Sequence, residues 1–145
     1  MMQKDNRTIA FVCTGNTCRS PMAEAIFNDM AEKNGVCVRA ESFGIATSTR
    51  LPVSENSVIA CKEIGIDLSG KASTAVADAG IEKYEKFYCM SQSHAKMLMQ
   101  FFLVQPEKIA VLGISDPYGG DIEVYRHCRD EIVNSVKEIL KAYEN

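Results

Sequence analysis

Thr8 to Val12 (TIAFV) is a short apolar run that leads directly into Cys13-Thr14-Gly15-Asn16-Thr17-Cys18-Arg19-Ser20, and that turn opens a helical pattern. A buried strand that turns tightly through polar residues and continues as a helix leaves few folds open. It is the first half of a strand–helix–strand crossover, whose next strand runs parallel to the first. The helix is read from Arg19 to Asn34. Pro21 stands in its first turn, where a missing N–H breaks no helical bond, and Gly35 ends it. Met22, Ala23, Ile26, Phe27 and Met30 follow helical spacing.

The rest of the chain repeats the alternation. Val36 to Phe43 reads as a second strand, and Gly44 to Pro52 as a loop rich in Ser and Thr. A helix from Val53 to Ile64 stops at Gly65. Ile66 to Ala72 is a loop, and Ser73 to Gly80 a short helix at best. Tyr84 to Met90 is the third strand, followed by a helix capped at Ser91 and running to Phe101. Lys108 to Leu112 is the fourth strand, and Gly113 to Gly120 a loop. Asp121 caps a last helix with the stripe Ile122, Tyr125, Cys128, Ile132, Val136, Ile139 and Tyr143. The pattern predicts an α/β fold, a three-layer sandwich with a central four-stranded parallel sheet flanked by helices. At 145 residues the chain suits a single domain, 1–145. In such sheets ligands bind beyond the carboxyl ends of the strands.

Composition narrows the function. The formal net charge is −3 and no basic run occurs, which argues against nucleic acid as partner. No stretch approaches the ~20 apolar residues of a membrane span, and the polar N-terminus lacks a signal-peptide core. No membrane association and a cytoplasmic location are expected. Six cysteines occur without a CxxC pair, so no metal site is expected. Cys37, Cys61, Cys89 and Cys128 are expected to be buried, reduced thiols.

The turn after the first strand has the makings of an anion site. Its backbone N–H groups converge, the helix N-terminus adds partial positive charge, and Gly15 is expected to supply the unusual backbone angles. Thr14, Gly15, Asn16, Thr17, Cys18 and Ser20 are thus candidate phosphate-binding residues. Nest, helix dipole and Arg19 together favour a thiolate at Cys13. Phosphate transfer to that sulfur needs a fixed donor set, which the amides and the planar Arg19 fork supply. Ser20 is in reach to hydrogen-bond the sulfur, and Asn16 to hold the loop through side-chain bonds. The leaving group also needs a proton that Cys13 cannot give. Ser115-Asp116-Pro117-Tyr118-Gly119-Gly120 follows the fourth strand. Proline keeps Asp116 extended, and the glycines let the chain turn back. Asp116 is therefore the candidate general acid and later base, with Tyr118 as a pocket wall.

CTGNTCRSPMAEAIF at Cys13 to Phe27 and DPYGG at Asp116 to Gly120 resemble the low-molecular-weight protein tyrosine phosphatases over nearly the whole chain. The resemblance implies a cofactor-free and metal-free phosphocysteine mechanism acting on phosphorylated protein side chains, by a monomer or weak dimer. Cys13 is then nucleophile, Arg19 phosphate ligand, Asn16 and Ser20 loop support, and Asp116 acid. Thr17, the Gly-Gly pair and Met90-Ser91-Gln92-Ser93-His94 are similar to the bacterial arginine phosphatase branch, so phosphoarginine is the expected substrate. A branched aliphatic at position 17 would suit a phosphotyrosine ring instead. His94 itself is read as a surface or helix-start residue. The family's loop-bracing His and nearby Arg are replaced by Gly70 and Ser73, so the bracing must differ.

Three other readings compete. A phosphotyrosine or aryl phosphatase would share all of the chemistry. An arsenate reductase would need a relay pair of cysteines near the third strand, and Cys89 has no partner at Lys96 or Met97. A non-catalytic phospho-residue binder would need to lack the nucleophile or the acid. Cys18, in the same tight loop as Cys13, is a candidate to trap an oxidised Cys13 as a disulfide.

Overall fold

The computed structural model describes residues 7–144. Among these, four strands form one sheet: β1 (Thr8–Cys13), β2 (Arg39–Gly44), β3 (Lys86–Cys89) and β4 (Ile109–Val111). All pairings are parallel and the order is β2-β1-β3-β4. The helices are α1 (Arg19–Lys33), α2 (Glu55–Lys62), α3 (Val76–Ala79), α4 (Gln92–Phe101) and α5 (Ile122–Lys141). The predicted α/β sandwich is what forms.

β1 is central because both of its faces are apolar, as a strand covered by helices on two sides must be. Its period of two sends Ile9, Phe11 and Cys13 into the core shared with α1 and α5, and Ala10 and Val12 into the second core with Phe87 and Leu98. The α1 stripe buries Met22, Ala23, Ile26 and Phe27. The α5 stripe buries Tyr125, Cys128, Ile132, Val136 and Ile139, and the Asp121 carboxylate accepts from the Val124 N–H as its cap.

β1 runs one residue beyond its sequence pattern, to Cys13, whereas β2, β3 and β4 are shorter than theirs. β2 begins at Arg39, not Val36, because the ladder starts where Thr8 faces Arg39. Cys37 therefore lies outside the sheet and is exposed, contrary to expectation, while Cys61, Cys89 and Cys128 are buried. Burial pushes each of those three thiols up to about 12. β3 begins after a tight turn over Ile81–Lys83, and β4 after another over Pro106–Lys108. α2 starts at Glu55, not Val53, and Ser54 caps it, its hydroxyl accepting from the Ser57 N–H.

Strand order changes direction at β1 and β3, and the crevice beyond their carboxyl ends is where such sheets bind ligands. The β1–α1 turn, the β3–α4 turn and the β4–α5 loop meet there. Among the described residues no helix is long and apolar enough to cross a membrane.

Candidate active site

A cavity of about 310 Å³ opens at this edge, lined by residues Cys13 to Arg19 together with Asp116 and Tyr118. The turn after β1 and the loop after β4 are thus brought to one cavity from opposite ends of the chain. Gly44, at the end of β2, allows the close fit. A Cβ there would lie 2.6 Å from the Thr14 carbonyl oxygen.

The loop's left-handed residue is Asn16 (φ 56°), not Gly15 as the sequence suggested. Asparagine tolerates this conformation better than most residues. Here a fully buried side chain fixes it. Asn16 Nδ2 donates to Ser20 Oγ (2.7 Å) and to Ser42 Oγ (2.9 Å), while Oδ1 accepts from the Thr74 N–H (2.7 Å). Both amide protons are thereby assigned, and they set the direction of the hydroxyls. Ser20 accepts from Asn16, so its proton turns to Cys13 Sγ, 2.8 Å away. Ser42 accepts from Asn16 and donates to Glu24 Oε1 at 2.6 Å. Lys71 closes the chain on Glu24 at 2.9 Å. The Asn16 N–H adds a second donor to Cys13 Sγ at 3.1 Å. Two donors therefore converge on the sulfur.

This chain is the bracing that the sequence left open. Gly70 has φ 81°, a conformation that a histidine adopts only at a cost, so a side-chain brace from that position is disfavoured. The Thr74 backbone and the Ser42–Glu24–Lys71 series brace the loop here. Ser73 instead ties the loop before α2, donating to the Ser48 carbonyl and accepting from the Leu51 N–H.

Arg19 is buried and links the two halves of the site. Nη1 donates to the Ile114 carbonyl at 3.0 Å, and Nη2 lies 3.8 Å from Asp116 Oδ2. The Asp116 side chain is 60% exposed, which leaves it open to the cavity mouth. Asp116 Oδ1 accepts from the Tyr118 N–H (3.1 Å), and Ser115 is anchored on Glu131. Gly119 takes φ 82°, and a Cβ on Gly120 would strike Val124. The Gly pair therefore makes the return turn that the sequence pointed to. Tyr118 stands at the rim, 82% exposed.

Thr17 lines the cavity, its carbonyl accepting from the Ser54 N–H. Cys18 and Cys13 are unpaired thiols, and Cys18 Sγ lies 3.4 Å from the Tyr125 hydroxyl. His94 starts α4, as expected, but it is buried, not a surface residue. Its ring contacts Thr14 Oγ1 at 2.9 Å. Ser42, Glu24, Lys71, Thr74 and His94 were not recognised in the sequence as parts of the site.

Comparison with known proteins agrees with this geometry. A family model described as low molecular weight phosphotyrosine protein phosphatase matches residues 8–145. A protein-arginine-phosphatase of Bacillus subtilis is 32% identical, covering 92% of this chain and 94% of its own. One from Geobacillus stearothermophilus is 34% identical, covering 92% and 93%. An arsenate reductase of Brevibacillus brevis is 30% identical, covering 97% and 99%. Among solved structures, a low molecular weight protein tyrosine phosphatase from T. tengcongensis superposes with a TM-score of 0.89 at 31% identity, over 94% of this chain and 99% of that one. With its fold, loop and acid-bearing turn all in this pattern, the chain belongs to the low molecular weight phosphotyrosine protein phosphatase family and is a phosphatase.

Proposed function

We propose that this phosphatase removes phosphoryl groups from phosphorylated protein side chains through a phosphocysteine intermediate at Cys13, with phosphoarginine as its preferred substrate. The observation that carries the mechanism is the setting of Cys13 Sγ, which receives the Ser20 hydroxyl and the Asn16 N–H at the floor of a cavity shared with Arg19 and Asp116. The sulfur attacks phosphorus in line, while loop amides and the rest of the Arg19 fork hold the phosphoryl oxygens. Asp116 protonates the leaving atom, then takes a proton from the water that attacks the phosphocysteine. Ser20 stabilises the sulfur as it departs. A nucleophile that must stay reduced suits the cytoplasm.

Arg19→Lys keeps the charge but loses the planar fork and its anchor on Ile114. The expected loss in kcat/KM is about 10²–10³-fold, the scale of removing a transition-state donor. A variant within threefold of wild type in steady-state assays overturns the clamp role.

The substrate preference rests on Thr17. A guanidinium carries N–H groups that want acceptors, and Thr17 and Asp116, which both carry one, line the same cavity. Sites built to hydrogen-bond a substrate reject analogues lacking those groups strongly. The test is wild type and Thr17→Ile on phosphoarginine and phosphotyrosine peptides. Phosphoarginine activity should fall by about tenfold or more, the scale of a lost polar contact, and phosphotyrosine activity should hold or rise. A wild-type preference for phosphotyrosine, or equal losses on both, removes the phosphoarginine reading.

The reductase reading has a specific difficulty. Cys89 is fully buried in β3, and burial pushes its thiol up to about 12, away from relay chemistry.

A further inference from the structure

His94 is a buried, polar residue that the mechanism above does not use. It sits at the third position of α4, where the β3–α4 turn faces the loop after β1. Its tautomer follows from its partners. The Ser91 N–H donates to Nδ1 at 3.2 Å, so Nδ1 is the acceptor and Nε2 carries the proton. Nε2–H then donates to Thr14 Oγ1 at 2.9 Å. Burial and the nearby Arg19 charge push the ring down to about 4, so it remains neutral near pH 7 and the direction of the bond holds.

A threonine oxygen has one proton and two lone pairs. With one lone pair held by His94, the remaining lone pair and the hydroxyl proton are turned away from α4. Thr14 lines the cavity and is exposed, whereas Cys13, Asn16, Cys18, Arg19 and Ser20 around it are buried. It therefore stands nearer the mouth than the floor on which the phosphoryl group rests.

We infer that His94 is a positioning residue that fixes Thr14 as a second polar contact for the substrate, on the atoms next to phosphorus. The inference deepens the proposed function and rests on the phosphatase reading of this cavity. The oriented hydroxyl accepts from a guanidinium N–H or donates to a bridging oxygen, and Thr14 and Thr17 are the two threonines that line the cavity.

The test measures kcat/KM on phosphoarginine and phosphotyrosine peptides, with inhibition by inorganic phosphate, for wild type, Thr14→Val, His94→Ala, His94→Gln and Thr14→Val/His94→Ala. The variant effects are read on whichever peptide wild type hydrolyses faster. Thr14→Val and His94→Ala should each lower kcat/KM by about tenfold, the scale of one hydrogen bond, while the phosphate inhibition constant stays within about twofold, because both variants keep the Thr14 backbone N–H that belongs to the anion loop. The double variant should be no worse than the poorer single one, because both act through one contact. His94→Gln, whose amide N–H replaces Nε2–H, should recover most of the loss. Additive losses, a weakened phosphate inhibition constant, or a harmless Thr14→Val each overturn the inference. Should His94→Ala fail to fold, Thr14→Val at its exposed position and His94→Gln decide the matter. The wild-type ratio between the two peptides tests substrate preference separately, and turnover by Cys13→Ser tests the phosphatase mechanism itself.

Discussion

Cys13→Ser should lose turnover by about 10⁴-fold or more, the scale of removing a nucleophile, while still binding phosphate or vanadate. The two halves of this expectation come from different atoms. In the proposed mechanism binding resides in the loop amides, the N-terminus of α1 and Arg19, none of which the substitution touches. Asn16 is held by Ser20, Ser42 and Thr74, so the loop keeps its shape when sulfur becomes oxygen. Turnover needs a strong nucleophile. Sulfur is one by its own chemistry, and two donors, the Ser20 hydroxyl and the Asn16 N–H, face it. A serine hydroxyl needs a base to take its proton, and the same two neighbours offer only protons. The imidazole of His94, which lies against the loop after β1, is bonded to Thr14 and Ser91 instead. Single-turnover assays with isothermal titration of vanadate check both halves. A variant that keeps more than a tenth of the wild-type rate removes Cys13 from the nucleophile role.

The parts of the site that the sequence revealed are the parts made locally. Cys13, Arg19 and Ser20 belong to one strand–turn–helix unit, so short-range rules suffice: an apolar run, a polar turn, a helix with Pro21 in its first turn. Asp116 was visible for a similar reason, since Asp-Pro followed by Gly-Gly can hardly be anything but a projecting turn. The parts that were missed are long-range partners. Ser42 lies in β2 and faces Asn16 only because Thr8 pairs with Arg39. Glu24 and Lys71 are ordinary surface letters until α1 and the loop before α3 bring them to Ser42. Arg19's anchor is a backbone carbonyl, that of Ile114, which no side-chain pattern reports. His94 looked like a helix-start residue and is one. Its burial depends on the β3–α4 turn packing against the loop after β1, which periodicity does not encode. Cys37 erred the other way. An apolar stretch, Val36 to Val38, suggested a paired strand, but the ladder starts one residue beyond it.

Asp116→Asn should lower the rate of phosphoenzyme formation by about 10²–10⁴-fold, the usual range for a general acid or base, and by much less on a substrate whose leaving group departs without a proton, such as a nitrophenyl phosphate. Geometry makes this a clean chemical test. Asp116 Oδ1 accepts the Tyr118 N–H, and an asparagine oxygen accepts it equally well. The loop is otherwise held by groups the change does not reach: Ser115 on Glu131, Gly119 in its left-handed turn, and Gly120 against Val124. The long Arg19–Asp116 contact, 3.8 Å with an exposed carboxylate, contributes little to holding the loop. What the variant loses is the ability to give and take a proton at the cavity mouth. Two steps need that proton. Departure of the leaving atom needs it in proportion to that atom's basicity, and hydrolysis of the phosphocysteine needs it whatever the substrate was. Substrates with good leaving groups should therefore converge on one residual rate, set by the second step, and accumulate phosphoenzyme in a burst. Substrates with poor leaving groups should fall below that rate without a burst. Rapid-quench measurements across a leaving-group series separate the two regimes. An equal loss for every leaving group, with no burst from any, would assign Asp116 to holding the loop and not to proton transfer.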